Sequence, residues 1–103
     1  MENIGHFING KREPGESGNL SDVFNPATGE VQARVSLASK DELDKIVELA
    51  KNAQPAWAAT NPQRRARVLM KFVELIHRDM DKLAKKLSSE HGKTFPDAKG
   101  DII

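Results

Sequence analysis

The sequence predicts an α/β chain in which N-terminal β-hairpins are followed by two to three helices. Two observations carry this reading. Within residues 1–38, two turn signals, Asn9-Gly10 and Asn25-Pro26-Ala27-Thr28-Gly29, each lie beside short apolar runs. From Ser39 onward the apolar residues recur at helical rather than alternating spacing. The 103 residues suffice for one small domain, read as a hairpin region over 1–38 and a helical region over 39–103.

The elements follow in order. His6-Phe7-Ile8 reads as a short strand, Asn9-Gly10 as a two-residue hairpin turn, and Lys11-Arg12 as the start of the return strand. Residues 13–19, Glu-Pro-Gly-Glu-Ser-Gly-Asn, form a loop by composition. Asn25 is pushed toward extended backbone by Pro26, which suits the second position of a type I turn. Gly29 supplies the left-handed conformation that lets the chain return. Val31, Ala33, Val35 and Leu37 then alternate with Glu30, Gln32, Arg34 and Ser36, a period of two with one face buried.

Ser39 and Glu42 have capping-box spacing and open the first helix. Leu43, Ile46, Val47, Leu49, Ala50 and Ala53 give it an apolar stripe, and Pro55 is expected to end or kink it. The second helix starts at Thr60 or Asn61 with Pro62 in its first turn, and its stripe runs through to Ser88. Val68, Phe72 and Leu75 fall off that stripe, so its first half is apolar on more than one side. Gly92 reads as a C-terminal cap, and residues 94–103 as the first turn of a third helix.

Composition removes several classes of function. With 38% hydrophobic and 30% charged residues the chain is not of the disordered type. The absence of cysteine excludes disulfides, thiolate metal sites and a cysteine nucleophile within it. Met1–Lys11 lacks a long apolar segment, so no signal peptide and a cytoplasmic location are expected, and no apolar run is long enough to span a membrane.

The candidates for chemistry are few. His6, His77 and His91 are widely spaced and read as ordinary histidines without a zinc-site pattern. No GxGxxG or Walker sequence is present, so the glycines read as turn residues. Residues 61–93 carry nine basic and four acidic side chains. Arg64, Arg67, Lys71 and Arg78 share a helix face that Lys82, Lys85 and Lys86 extend. Such a stripe could track phosphates, but Glu74, Asp79 and Asp81 interleave with it and stacking aromatics are lacking, so a solvated face is the better reading and no nucleic acid is expected as a partner. No carboxylate sits in an apolar context that would raise its pKa.

By residues alone this is an α/β piece without a catalytic centre. Its helices carry more apolar face than they and two hairpins can bury, which points to a segment of something larger. Alone, it is expected to be partly molten or self-associated. A different class of function stays open: a small module that docks on a partner through its apolar helical faces or basic stripe.

The motif series "HFINGK", "FNPATGEVQARV", "PAW", "RRARVL" and "EHGKTFPDAKGDI" resembles the start of the aldehyde dehydrogenase superfamily over residues 5–103. Glu90-His91-Gly92-Lys93, followed by residues 97–102, is similar to the CoA-acylating methylmalonate-semialdehyde branch. The resemblance implies an N-terminal fragment, an incomplete part of a Rossmann-like NAD-binding domain, inactive alone. It implies NAD and CoA as cofactors of the full-length enzyme, a homo-tetramer, and the remainder of the dehydrogenase fold as partner. In that enzyme a cysteine attacks the aldehyde, hydride passes to NAD, and CoA accepts the acyl group, as in valine and inositol catabolism. The catalytic cysteine, the oxyanion-hole asparagine and the NAD-binding loops have no counterpart in these residues. No catalytic, cofactor-binding or metal residue is therefore carried over.

Overall fold

The computed structural model describes residues 1–103, with five strands and four helices. The chain divides into two compact units, one of Met1–Phe24 with Val31–Ala59 and one of Asn25–Glu30 with Thr60–Ile103.

The first unit holds all the strands: β1 (Glu2–Ile4), β2 (His6–Ile8), β3 (Lys11–Glu13), β4 (Leu20–Phe24) and β5 (Val31–Ser36). β2 and β3 form an antiparallel ribbon across Asn9 and Gly10, both at positive φ of 54° and 76°, the signature of a type I′ turn. β4 and β5 pair antiparallel, with a bulge between Val23 and Phe24. In β5 the expected alternation holds only at its centre: Ala33 is buried and Arg34 points out, pairing with Asp22 at 3.1 Å, but Gln32 and Ser36 are half-buried like Val31 and Val35, and Leu37, just past the strand, is exposed.

β1 is an addition to the sequence reading. Its three residues show no period, yet they pair in parallel with β5, Glu2 opposite Ala33, so the sheet order is β1-β5-β4. A strand this short exists because its partner satisfies its backbone.

The helix α1 (Lys40–Ala59) starts where the capping box places it. Of the two outcomes expected at Pro55, an end or a kink, the first does not occur: Pro55 lies inside the helix, which continues to Ala59. The proline removes one backbone bond, but Ala56, Ala58 and Ala59 are strong helix formers and the chain resumes its turn.

The second unit contains the turn Asn25–Glu30 and three helices, α2 (Pro62–Arg78), α3 (Met80–His91) and α4 (Phe95–Ile102). In the turn, the Asn25 carbonyl accepts from Thr28 and Gly29, its side-chain oxygen accepts from Ala27 N, and Gly29 takes φ of 76°. Asn61 caps α2 by accepting from Gln63 N at 2.8 Å, with Pro62 in the first turn.

The single long helix expected through Ser88 is instead two. Asp79 leaves helical geometry at φ −103°, ψ 18°, and its carboxylate takes both ends of the Arg78 guanidinium, at 2.9 and 3.2 Å. That contact holds the Asp79 carboxyl below its ordinary range, the Arg78 hydrogen bond being the main cause. Apolar periodicity is blind to a one-residue break, because the stripe continues on both sides. Ala84 of α3 and Ala98 of α4 are fully buried, small enough to let these two helices close together. Lys99 spans them, reaching Asp81 at 3.2 Å and lying over the Phe95 ring. Gly92 ends α3 in the left-handed conformation, as read from the sequence. No helix is long and apolar enough to cross a membrane.

Candidate functional site

The most interconnected polar group in the chain is Glu42, in the first turn of α1 and buried. Its position follows from the capping box. The Ser39 hydroxyl accepts from Glu42 N at 3.1 Å, and the Glu42 carboxylate accepts from Ser39 N at 3.2 Å. The second carboxylate oxygen accepts from Glu16 N at 3.2 Å, fixing the loop after β3. His6 of β2 places Nε2 3.6 Å from the same oxygen, at ion-pair but not hydrogen-bond distance. Gly15 makes room for this: a Cβ there would lie 2.7 Å from the Ser36 Cβ and 3.4 Å from His6 Nε2. One carboxylate thus ties together β2, the following loop and the start of α1.

The electrostatics define what this group can do. The Ser39 backbone hydrogen bond is the largest influence on Glu42. Partial burial opposes it, and the Glu16 amide and His6 add to it. The net result holds the carboxyl below its ordinary value. A carboxylate with a lowered pKa and its lone pairs engaged is a poor general base, so the cluster is a structural clamp. An adjoining cleft of about 220 Å³ is lined by Ile8, Ile46 and Leu49 together with Glu13, Glu16 and Lys45.

A pH dependence follows. Because folding lowers the Glu42 pKa, its contribution to stability is fully present above the ordinary glutamate range. It is lost as the pH falls through that range toward the folded value. Amide protection at Glu16 and Ser39, corrected for intrinsic exchange rates, is expected to fall in that acid window. In Glu42→Ala it should be low throughout. Undiminished protection of the wild-type chain in acid would contradict the clamp.

Histidine, aspartate and glutamate side chains form no group of three that could hold a metal ion. His6 enters the clamp, which sequence spacing gave no means of seeing. The basic stripe is divided between α2 and α3 by the break at Asp79, with Lys71 paired to Glu74 at 3.3 Å.

A dinucleotide would need a strand-to-helix passage whose first amides are open to its pyrophosphate. The passage here is β5 to α1, where Ser39 Oγ accepts from the Glu42 amide and the Glu42 carboxylate accepts from the Ser39 amide. The positive-φ glycines, Gly10, Gly18, Gly29 and Gly92, lie outside that passage.

The sequence profile of the aldehyde dehydrogenase family matches residues 13–103. The chain belongs to the aldehyde dehydrogenase family. The resemblance read from its motif series is borne out. A malonate-semialdehyde dehydrogenase of Pseudomonas aeruginosa is 41% identical over 102 residues, 99% of this chain but 20% of that protein. The mouse mitochondrial acylating methylmalonate-semialdehyde/malonate-semialdehyde dehydrogenase is 42% identical over 97 residues, 94% of this chain and 18% of its own length. The fold agrees with a Sinorhizobium meliloti protein solved with NAD and described as a methylmalonate-semialdehyde dehydrogenase. It superposes with a TM-score of 0.94 and 64% identity, over 98% of this chain and 21% of that one. A methylmalonate-semialdehyde dehydrogenase of Oceanimonas doudoroffii gives 0.93 and 39%, over 99% and 21%. The chain therefore spans about a fifth of the length of the dehydrogenases it matches, and it matches the N-terminal part of their fold.

Proposed function

We propose that this chain forms the N-terminal part of an NAD-dependent, CoA-acylating methylmalonate/malonate-semialdehyde dehydrogenase, and that it contributes architecture to that enzyme. In this reading its hairpin region and helical region together make one partial NAD-binding domain. Its own residues supply no catalytic, cofactor or metal ligand. The 64% identity to the NAD-complexed Sinorhizobium meliloti protein across 98% of the chain carries the reading. The clamp at Glu42 supports it, since its hydrogen bonds fasten segments of the chain together. NAD and CoA would supply the hydride acceptor and the acyl acceptor in the assembled enzyme.

The test is a pair of measurements. The purified chain, given malonate semialdehyde, CoA and NAD, is expected to yield no NADH. A chimera that continues this chain with the complementary four-fifths of the Sinorhizobium meliloti protein should yield NADH and an acyl-CoA. NADH from the chain alone would refute the assignment of a purely architectural role. A folded but inactive chimera would refute the dehydrogenase reading.

A further inference from the structure

The chain has six asparagines, and only Asn9 is followed by glycine. Asn25 and Asn61 precede prolines, which have no backbone N–H, and each uses its side-chain oxygen to accept from a turn or cap amide, Ala27 N and Gln63 N. Asn3, Asn19 and Asn52 precede Ile4, Leu20 and Ala53, whose Cβ atoms crowd the amide nitrogen. Asn9 has neither protection. It is exposed at the tip of the β2–β3 ribbon, and a Cβ on Gly10 would meet nothing within 4 Å. No hydrogen bond holds its side chain or the Gly10 amide.

That amide nitrogen can attack the side-chain carbon of Asn9. Gly10 N bonds to Cγ, the bond from Cγ to the side-chain nitrogen breaks, and ammonia leaves with the Gly10 amide proton. Water then opens the five-membered imide. Cleavage at Cγ leaves aspartate. Cleavage at the former backbone carbonyl leaves isoaspartate, with one extra carbon in the main chain. The ring cannot close until Asn9 turns out of the ψ of about +30° that a type I′ turn imposes, so the reaction waits for the ribbon to open. The ribbon itself resists little. It has two strands of three residues, β3 is exposed throughout, and Phe7 is 74% exposed. The clamp restrains it: Glu42 fixes the Glu16 amide beyond β3 and faces His6 on β2.

We infer that Asn9-Gly10 is a self-modification site, whose conversion to isoaspartate is gated by the Glu42 clamp and whose product keeps the β2–β3 ribbon open. The added carbon lengthens the turn, so Ile8 and Lys11 no longer pair across a two-residue loop. The new carboxylate also joins Glu13, Glu16 and Glu42 around a cleft that Asn9 already lines, with Lys45 as its one cation. Both effects oppose reclosure. Nothing in this chemistry depends on the dehydrogenase assignment.

The test is ageing of the full 103-residue chain at mildly alkaline pH, where the Gly10 amide loses its proton more readily, with products read by peptide mass spectrometry that separates isoaspartate from aspartate. A synthetic peptide of residues 6–13 gives the rate of an open ribbon. Asn9 is expected to convert before the other five asparagines, mainly to isoaspartate. It should do so more slowly than the peptide, by up to about 100-fold, as for a site reached by local opening. Glu42→Ala should speed conversion about tenfold, the effect of losing a hydrogen bond to a charged group. Glu42→Gln keeps the side-chain shape, should speed it about threefold, and serves if the alanine variant misfolds. Gly10→Ala strains the same turn yet should slow conversion, which separates imide chemistry from loosening. Asn9→Asp adds the charge without lengthening the turn, so residues 6–13 should keep more amide protection than in the isoaspartyl chain. Conversion more than about 100-fold slower than the peptide, or faster in Gly10→Ala, overturns the site. Conversion at the peptide rate, or folded Glu42 variants no faster than wild type, overturns the gate. An isoaspartyl chain as protected as Asn9→Asp overturns the held-open ribbon.

Discussion

Gly5→Ala in the chimera is expected to free residues 2–13, raising their amide exchange about 5- to 150-fold while α3 and α4 exchange as before. The reason lies in what a Cβ would meet. It would stand 2.5 Å from the Glu13 carbonyl oxygen, 3.3 Å from its carbon and 3.4 Å from the Pro14 Cα. All of these are backbone atoms, so no side chain can swing aside. Either β1 leaves β5, or the ribbon of β2 and β3 moves away from its place beside Gly5. Overpacking of this kind costs about 1–3 kcal/mol, which sets the expected range of exchange rates. Unchanged protection over residues 2–13 would show that the close approach is not maintained.

The second large effect is expected at Gly92, where two costs coincide. Its φ is 91°, a conformation that side chains rarely adopt. A Cβ there would also come within 3.1 Å of the Pro26 Cγ. Gly92→Ala is therefore expected to destabilise the last turn of α3 by about 1–3 kcal/mol, read as faster exchange at the Gly92 amide, which donates to Ser88 at 2.8 Å. Gly10→Ala separates the two costs, because its φ is 76° with nothing within 4 Å of the added carbon. It should lose about 1–2 kcal/mol, from backbone strain alone. Adding Pro26→Ala to Gly92→Ala should recover part of the loss. Strict additivity of the two would mean that they do not touch.

That contact also shows what was legible in the sequence. The motifs around Pro26 and Gly92 were each readable alone, one as a turn and the other as a helix cap, because each rests on local backbone chemistry. Their meeting was not, since it depends on tertiary placement. The same division runs through the rest of the chain. The type I′ turn at Asn9-Gly10 and the capping box of Ser39 and Glu42 involve neighbours in sequence and were found. The clamp's other members were not: the Glu16 amide reaches Glu42 across 26 positions, and no spacing rule covers that distance. Asp79 escaped because a single residue of altered geometry leaves the apolar period intact. At Pro55 the sequence offered an end or a kink, and the end does not occur, because a proline's tendency to stop a helix is a local preference that the surrounding helix formers override.

The parallel pairing of β1 with β5 has a consequence for the order in which the chain acquires its shape. The ribbon of β2 and β3, and the hairpin of β4 and β5, close through short turns and need only their own residues. β1 cannot take its place until β5 exists, because Glu2 lies opposite Ala33. During synthesis the first strand is therefore made early and seated late, with a complete ribbon formed in between. Through that interval one edge of β5 stands open, its amides and carbonyls unclaimed, and the nascent segment Glu2–Ile4 must reach it before another extended peptide does.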